Sequence, residues 1–177
     1  MERLDAKRAL IRHTLDAADL TVNRDGLTVG HVMTPAPATV SSELSVLELA
    51  RLIRARGARH LLVTNGTDQL VGVISDRDVI RCFGPEQYPD EKALNTITAG
   101  QIMSTDLITI GPSAPLDRGV TLMVDHGISC LPVMASDSLV GIVTNTDLHL
   151  VLEILLGRVV RNEAEESSRL DRVATNA

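Results

Sequence analysis

The chain predicts a mixed α/β (α+β) fold made of two copies of one β-α-β-β-α unit, with a helical extension at each end. Three observations predict it. The sequence repeats at a steady offset: Met33 and Met103, Thr39 and Thr109, Gly57 and Gly127, and Val63 and Val133 are each 70 residues apart. The offset then drops to 69 at Gly72 and Gly141 and at Asp78 and Asp147, so one residue is lost in a turn, 65–69 against 135–138. A register that survives such a loss marks a duplicated unit rather than chance identities. Finally, Gly72-Val73-Ile74-Ser75-Asp76-Arg77-Asp78 is echoed by Gly141-Ile142-Val143-Thr144-Asn145-Thr146-Asp147. In each, an apolar run stops at a hydroxyl and an Asp follows three residues later, as where a strand hands over to a helix N-terminus.

In chain order, residues 4–20 read as a helix, with Leu4, Ile11, Leu15 and Ala18 on one face and Lys7, Arg8 and Arg12 on the other. Residues 21–27, with Asn23, Asp25 and Gly26, read as a loop, so 1–27 precedes the repeat. The first unit spans 28–84. It opens on a short extended piece at Thr39-Val40, and Val46, Leu49, Ala50 and Ile53 then follow at helical spacing. Ser45 with Glu48 forms a capping box at that helix start, and Gly57 suits its left-handed end. A buried strand from His60 to Thr64, a turn at Asn65-Gly66, a second strand over 70–75 and a helix after Ser75 complete the unit. Residues 85–97, with Pro85 and Pro89, read as a linker. The second unit, 98–156, repeats the order: an extended piece over 107–110, a helix carrying Leu116, Val120 and Met123 that ends at Gly127, strands over 130–134 and 139–144, and a last helix. That helix is apolar almost all round (Leu150, Val151, Leu152, Ile154, Leu155, Leu156, Val159, Val160), which suits burial within the chain or a face for a second subunit. Residues 157–177 end in a polar tail, read as frayed helix or disorder.

Composition narrows the function classes. Of 177 residues 44% are hydrophobic, enough for a packed interior. The net charge of −6 argues against a dominant nucleic-acid or anionic-membrane surface, and one Phe, one Tyr and no Trp leave little for a base-stacking platform. Cys82 and Cys130 lie far apart without metal spacing, and the five histidines are scattered, so no metal site is expected. The charged first 19 residues do not resemble a signal peptide, and no apolar run approaches the ~18 residues of a membrane span. The expectation is a cytoplasmic protein with reduced thiols. No nucleophile–base pair and no Walker or Rossmann glycine pattern is present, so the chain reads as a non-enzyme.

The repeated Asp segments carry two readings. Ser75 with Asp78, and Thr144 with Asp147, serve as helix caps worth about 0.5–2 kcal/mol each. They also stand at helix N-termini, where unpaired N–H groups favour anions. The tandem β-α-β-β-α units, the Leu131-Pro132-Val133 strand with its counterpart Leu61-Leu62-Val63, and the two Gly-x-x-Ser/Thr-x-x-Asp segments resemble the cystathionine-β-synthase (CBS) domain family over 28–84 and 98–156. The resemblance implies two units packed pseudo-symmetrically into one module. It implies two clefts for an adenosine-type ligand (AMP, ADP, ATP, S-adenosylmethionine or NAD), a regulatory rather than catalytic role, and a homodimer.

Carried over by position, Asp78 and Asp147 would take the ribose hydroxyls, since a carboxylate offers two acceptor oxygens to a vicinal diol. Ser75 and Thr144 would support ribose or phosphate, Thr34 and Ser104 would contact the nucleoside, and Ala38 and Ile108 would flank the base. At the positions that open the second strand, where such domains often carry phosphate-binding cations, copy one has Arg59 and His60 and copy two has Ser129 and Cys130. Copy one also has Arg77 where copy two has Thr146. Grouped by repeat, Arg59, His60 and Arg77 give site one a preference for a phosphorylated nucleotide. Site two is then weaker, empty or fitted to a less anionic adenosine compound. With no effector domain evident in the sequence, the readout would be a separate effector protein or the oligomer. The competing expectation is a structural dimerisation or docking module with vestigial clefts.

Overall fold

The computed structural model describes residues 2–17, 26–83 and 91–175, with side chains over 4–16, 26–83 and 91–160. In order, the elements are α1 (Glu2–Ala17), α2 (Val29–Val32), β1 (Thr34–Pro35), β2 (Thr39–Ser41), α3 (Val46–Arg56), β3 (His60–Thr64), β4 (Leu70–Ser75), α4 (Asp76–Arg81), α5 (Glu91–Thr96), α6 (Ala99–Ile102), α7 (Leu116–Asp125), β5 (Cys130–Ala135), β6 (Ser138–Thr144) and α8 (Asn145–Thr175). Both copies of the unit are present. In the first, β2 runs parallel to β3 and β3 pairs antiparallel with β4. In the second, β5 and β6 form the hairpin, and Ile110 bridges in parallel to Val133 where β2 stands in the first.

Local chemistry sets these boundaries. Ser45 Oγ accepts from Glu48 N–H while the Glu48 carboxylate takes the Ser45 N–H, which starts α3 as a capping box. Gly57 ends α3 in the left-handed region, with φ 57°. At the first hairpin Asn65 Oδ1 accepts from the N–H groups of Thr67 and Gln69, and the positive φ falls on Asp68 rather than on Gly66. The second hairpin turns through Ser136 and Asp137 alone, which accounts for the lost residue.

The two copies exchange their leading segments. β1, from the first copy, pairs antiparallel with β6 of the second, Thr34 opposite Ile142. Reciprocally, Ser104 exchanges two backbone hydrogen bonds with Val73 on β4. The short helices cross over as well. Val29 and Gly30 N–H donate to the carbonyls of Ala114 and Pro112, and Ala99 and Gly100 N–H donate to those of Leu44 and Ser42. A glycine in each strand makes room for the crossing segment. A Cβ on Gly72 would strike the Met103 side chain, and one on Gly141 would strike Met33. The leading Gly of each Gly-x-x-Ser/Thr-x-x-Asp segment is thus needed for close approach of the other copy's Met.

Each half has its own core. One packs Val40, Val46, Leu49, Leu61, Val63, Ile74, Val79, Leu94 and Ala99. The other packs Val29, Val32, Leu116, Met123, Leu131, Val133 and Val143 with Ile11 and Leu15 of α1 and Leu150, Val151 and Ile154 of α8. Leu62, Cys130 and Ile142 form a third cluster where the halves meet. Buried Ile11 and Leu15 each contribute about 1.5–3 kcal/mol to holding α1 in place.

Several expectations change. Lys7 is not on the solvent face of α1 but points inward, and Leu4 is 47% exposed. The residues 7, 11 and 15 stand four apart, so they form one stripe. Ala18 and most of the expected loop over 21–27 fall outside the described residues. The linker holds α5, anchored by buried Leu94, and the helix backbone of α8 runs through the expected tail to Thr175. Along α8, Leu150, Val151 and Ile154 are buried while Leu152, Leu156, Val159 and Val160 are 53–65% exposed. No helix among the described residues is long and apolar enough to cross a membrane.

Candidate functional site

The exchange of leading segments makes each cleft composite. A cavity of about 220 Å³ opens beside the N-terminus of α4. The first copy lines it with His60, Val73, Ser75, Arg77, Asp78 and Arg81. The second lines it with Ser104, Asp106, Leu107, Ile108, Gly127, Ile128, Ser129, Cys130 and Pro132. Of the residues singled out in the sequence, eight therefore share one cleft: His60, Ser75, Arg77, Asp78, Ser104, Ile108, Ser129 and Cys130.

Asp78 is held by its own helix start. Its Oδ2 accepts from Ser75 N–H at 2.8 Å and from the Ser75 hydroxyl at 2.6 Å. Among the described residues, Oδ1 meets the exposed Arg81 guanidinium, at 3.4 Å. The cap thus uses one carboxylate oxygen and leaves the other facing the cleft, ready to accept from hydroxyl donors. Arg77, Arg81 and His60 supply donors around it, while Val73, Ile108 and Ile128 supply apolar wall.

His60 stands where the halves meet, its Nε2 2.8 Å from Ser129 Oγ. Burial holds its imidazole below the ordinary histidine value; the Asp76 and Asp78 carboxylates oppose this and the Arg59 and Arg77 guanidiniums add to it. His60 is therefore neutral at pH 7 and serves as a hydrogen-bonding group rather than a phosphate cation. Cys130, beside it, has its thiol pushed up to about 12 by burial, so it is a wall residue and no nucleophile.

Arg59 does not belong with Asp78. Its side chain is 60% exposed, reaches Asp76 at 3.7 Å and takes no part in lining the cavity, whereas its repeat partner Ser129 does. Grouping the cations by repeat therefore fails, because each cleft takes its Asp from one copy and the opposite wall from the other. Ala38 is half-buried at the start of β2, against the first core.

Thr34, Thr144 and Asp147 come together elsewhere, at the start of α8. Asp147 Oδ2 accepts from Thr144 N–H at 2.7 Å and from its hydroxyl at 3.0 Å, the same cap as at Asp78. Oδ1 is shielded from water and receives no well-directed hydrogen bond; the Lys7 ammonium balances its charge. Lys7 also donates to Thr34 Oγ1. Residue patterns missed Lys7 here, together with Asp106 and Arg81 in the open cleft. Arg81 was readable as the residue one helical turn beyond Asp78. Among the described residues no cluster of His, Cys, Asp or Glu is arranged to hold a metal.

One composite cavity at a capping Asp, and a second capping Asp closed off by Lys7, set the frame for comparison with known proteins. The family model of the CBS domain matches residues 29–84 and 99–153. The chain belongs to the CBS domain family. It is 32% identical over 135 residues to an uncharacterised protein of Methanopyrus kandleri, covering 75% of this chain and 66% of that one. It spans only 24% of the length of homoserine O-acetyltransferases it also resembles. Among solved structures, a CBS domain pair in complex with 5′-methylthioadenosine and S-adenosyl-L-methionine superposes with TM-score 0.62 at 26% identity, covering 72% of this chain and 96% of that one. CBSX2 in complex with AMP superposes with TM-score 0.60 at 28% identity, covering 73% and 98%. As a CBS pair, the chain has the expected mixed α/β architecture.

Proposed function

We propose that this CBS pair is a regulatory module that binds an adenosine-type nucleotide in the Asp78 cleft and passes its occupancy to an effector protein or across a homodimer. The observation that carries this reading is the divided carboxylate of Asp78, with one oxygen closing the helix cap and the other facing a cavity with apolar walls and basic side chains. In this reading Asp78 takes the ribose diol, Val73, Ile108 and Ile128 flank the base, and Arg77 and Arg81 meet phosphate. The ligand bridges the two copies, because Asp78 and Ser75 come from one and Ser104 and Ser129 from the other. It therefore favours one relative arrangement, by no more than its differential affinity. The cavity is smaller than the roughly 300–1,000 Å³ of most small-molecule sites, which suits a ligand whose phosphates stay toward solvent. The ligands held by two similar CBS proteins support the class without naming the member. A cytoplasmic setting and a non-catalytic role belong to the same proposal.

A thermal-shift panel of AMP, ADP, ATP, S-adenosylmethionine and NADH tests it. A ligand at 100 times its Kd adds about 2.7 kcal/mol of stability, so one member is expected to raise the Tm by several degrees. No shift from any of them at millimolar concentration contradicts the proposal.

A second reading has its own observation. The exposed Leu152, Leu156, Val159 and Val160 of α8, with Val124 of α7 at 72% exposure, suit a module that works by docking or dimerisation. A folded dimer with no response to the panel would favour it.

A further inference from the structure

The capping Asp of the second repeat is enclosed where that of the first is open to its cavity. Thr34 and Asp147 are the repeat partners of Ser104 and Asp78, which line the cavity. Between them sits the ammonium of Lys7, donating to Thr34 Oγ1 and paired with Asp147 Oδ1. The Asp147 side chain is 0% exposed, whereas that of Asp78 keeps 23%. The helix that delivers Lys7 is firmly seated: Ile11 and Leu15 are buried against α2 and α8, Arg8 pairs with Glu153, and Asp16 pairs with Arg158.

We infer that α1 is the resident occupant of the second cleft, with Lys7 standing in for a ligand's hydroxyl donors. The chain then takes up one nucleotide, in the Asp78 cleft, and a ligand enters the second cleft only by displacing the Lys7 ammonium. The chemistry fits the substitution. An ammonium has three N–H donors and no acceptor, which is what an acceptor pair such as Asp147 and Thr34 requires. Being part of the same chain, it competes at a high effective concentration. The stoichiometric part of this inference rests on the nucleotide reading above; the closure of the cleft does not.

The chain has two lysines, Lys7 and Lys92, so amine acylation with a succinimidyl acetate, read by peptide mass spectrometry, reports the lock directly in the intact protein. Held by Asp147 and Thr34 with 20% of its side chain exposed, Lys7 should react roughly tenfold or more slowly than exposed Lys92, and Asp147→Asn should speed it. Equal rates for the two lysines in the wild-type protein overturn the inference. Calorimetric titration with AMP should then give one site per chain in the wild type and two in Lys7→Met. A cooperatively folded Lys7→Met that still takes one overturns the competition. If Lys7→Met does not fold, the wild type at millimolar AMP decides. A second binding event must accelerate Lys7 labelling, a second event without acceleration overturns the inference, and no second event with Lys7 protected supports it. If no member of the panel binds either protein, the nucleotide reading fails, and the labelling rates alone still decide whether the cleft is closed.

Discussion

At Asp78 and Asp147 the same cap leads to different surroundings, and the difference lies in single side chains. Arg81 approaches the spare oxygen of Asp78 from solvent, and Lys7 buries that of Asp147. Arg77 lines the open cleft and Arg59 does not. Arg77→Ala should therefore weaken AMP or ATP binding by roughly tenfold, the loss of one charge-assisted phosphate contact. Arg59→Ala should leave affinity unchanged, and titration of the two variants checks the contrast. His60 adds a pH dependence. In the unfolded chain its imidazole takes a proton near the ordinary 6.5, and in the folded chain only at lower pH. The stability that neutral His60 contributes is thus complete above 6.5 and is lost as pH falls from there through the lower folded value. In urea melts across pH 5–8, His60→Gln should flatten that part of the profile, and an unchanged slope would show that His60 is not its source. At this scale Ser75, Asp78, Thr144 and Asp147 were legible because a capping box is local chemistry. Lys7 shares a four-residue spacing with Ile11 and Leu15, and that register rather than its charge decides that it points inward.

Among the elements, the strands, hairpins and the helices that follow them were readable from apolar runs, turn residues and caps. The crossings of β1 and of 104 to the opposite copy were not. Two residues of strand carry no periodicity, and a repeat does not say which copy's sheet receives its leading segment. The signal lay in Gly72 and Gly141, whose missing side chains admit Met103 and Met33. Gly72→Ala should force Met103 out of its position and destabilise the fold by about 1–3 kcal/mol, as overpacking of a tight contact does. A denaturation midpoint equal to that of the wild type would show that Met103 yields freely.

Over the whole molecule, a duplicated sequence yields two clefts that are alike in backbone and unequal in use. One presents a carboxylate oxygen to an open cavity, and at the other the Asp is met by Lys7 of the helix that precedes the repeat. The resemblance to CBS domains implied two clefts, but the difference between the two Asp residues lies outside the repeat, in α1. Eight residues named from the sequence line the open cleft, but the sequence reading grouped Ser129 and Cys130 with the other site and Arg59 with this one, because membership depends on the crossover. The measurement that bears most directly on nucleotide sensing is calorimetric titration of the panel into the wild type and Asp78→Ala. The account predicts micromolar binding of one member at one site per chain, abolished in Asp78→Ala, whose own cost is about 1 kcal/mol of stability from the lost cap. Binding that persists undiminished in a folded Asp78→Ala, or no heat from any ligand with the wild type, would contradict it.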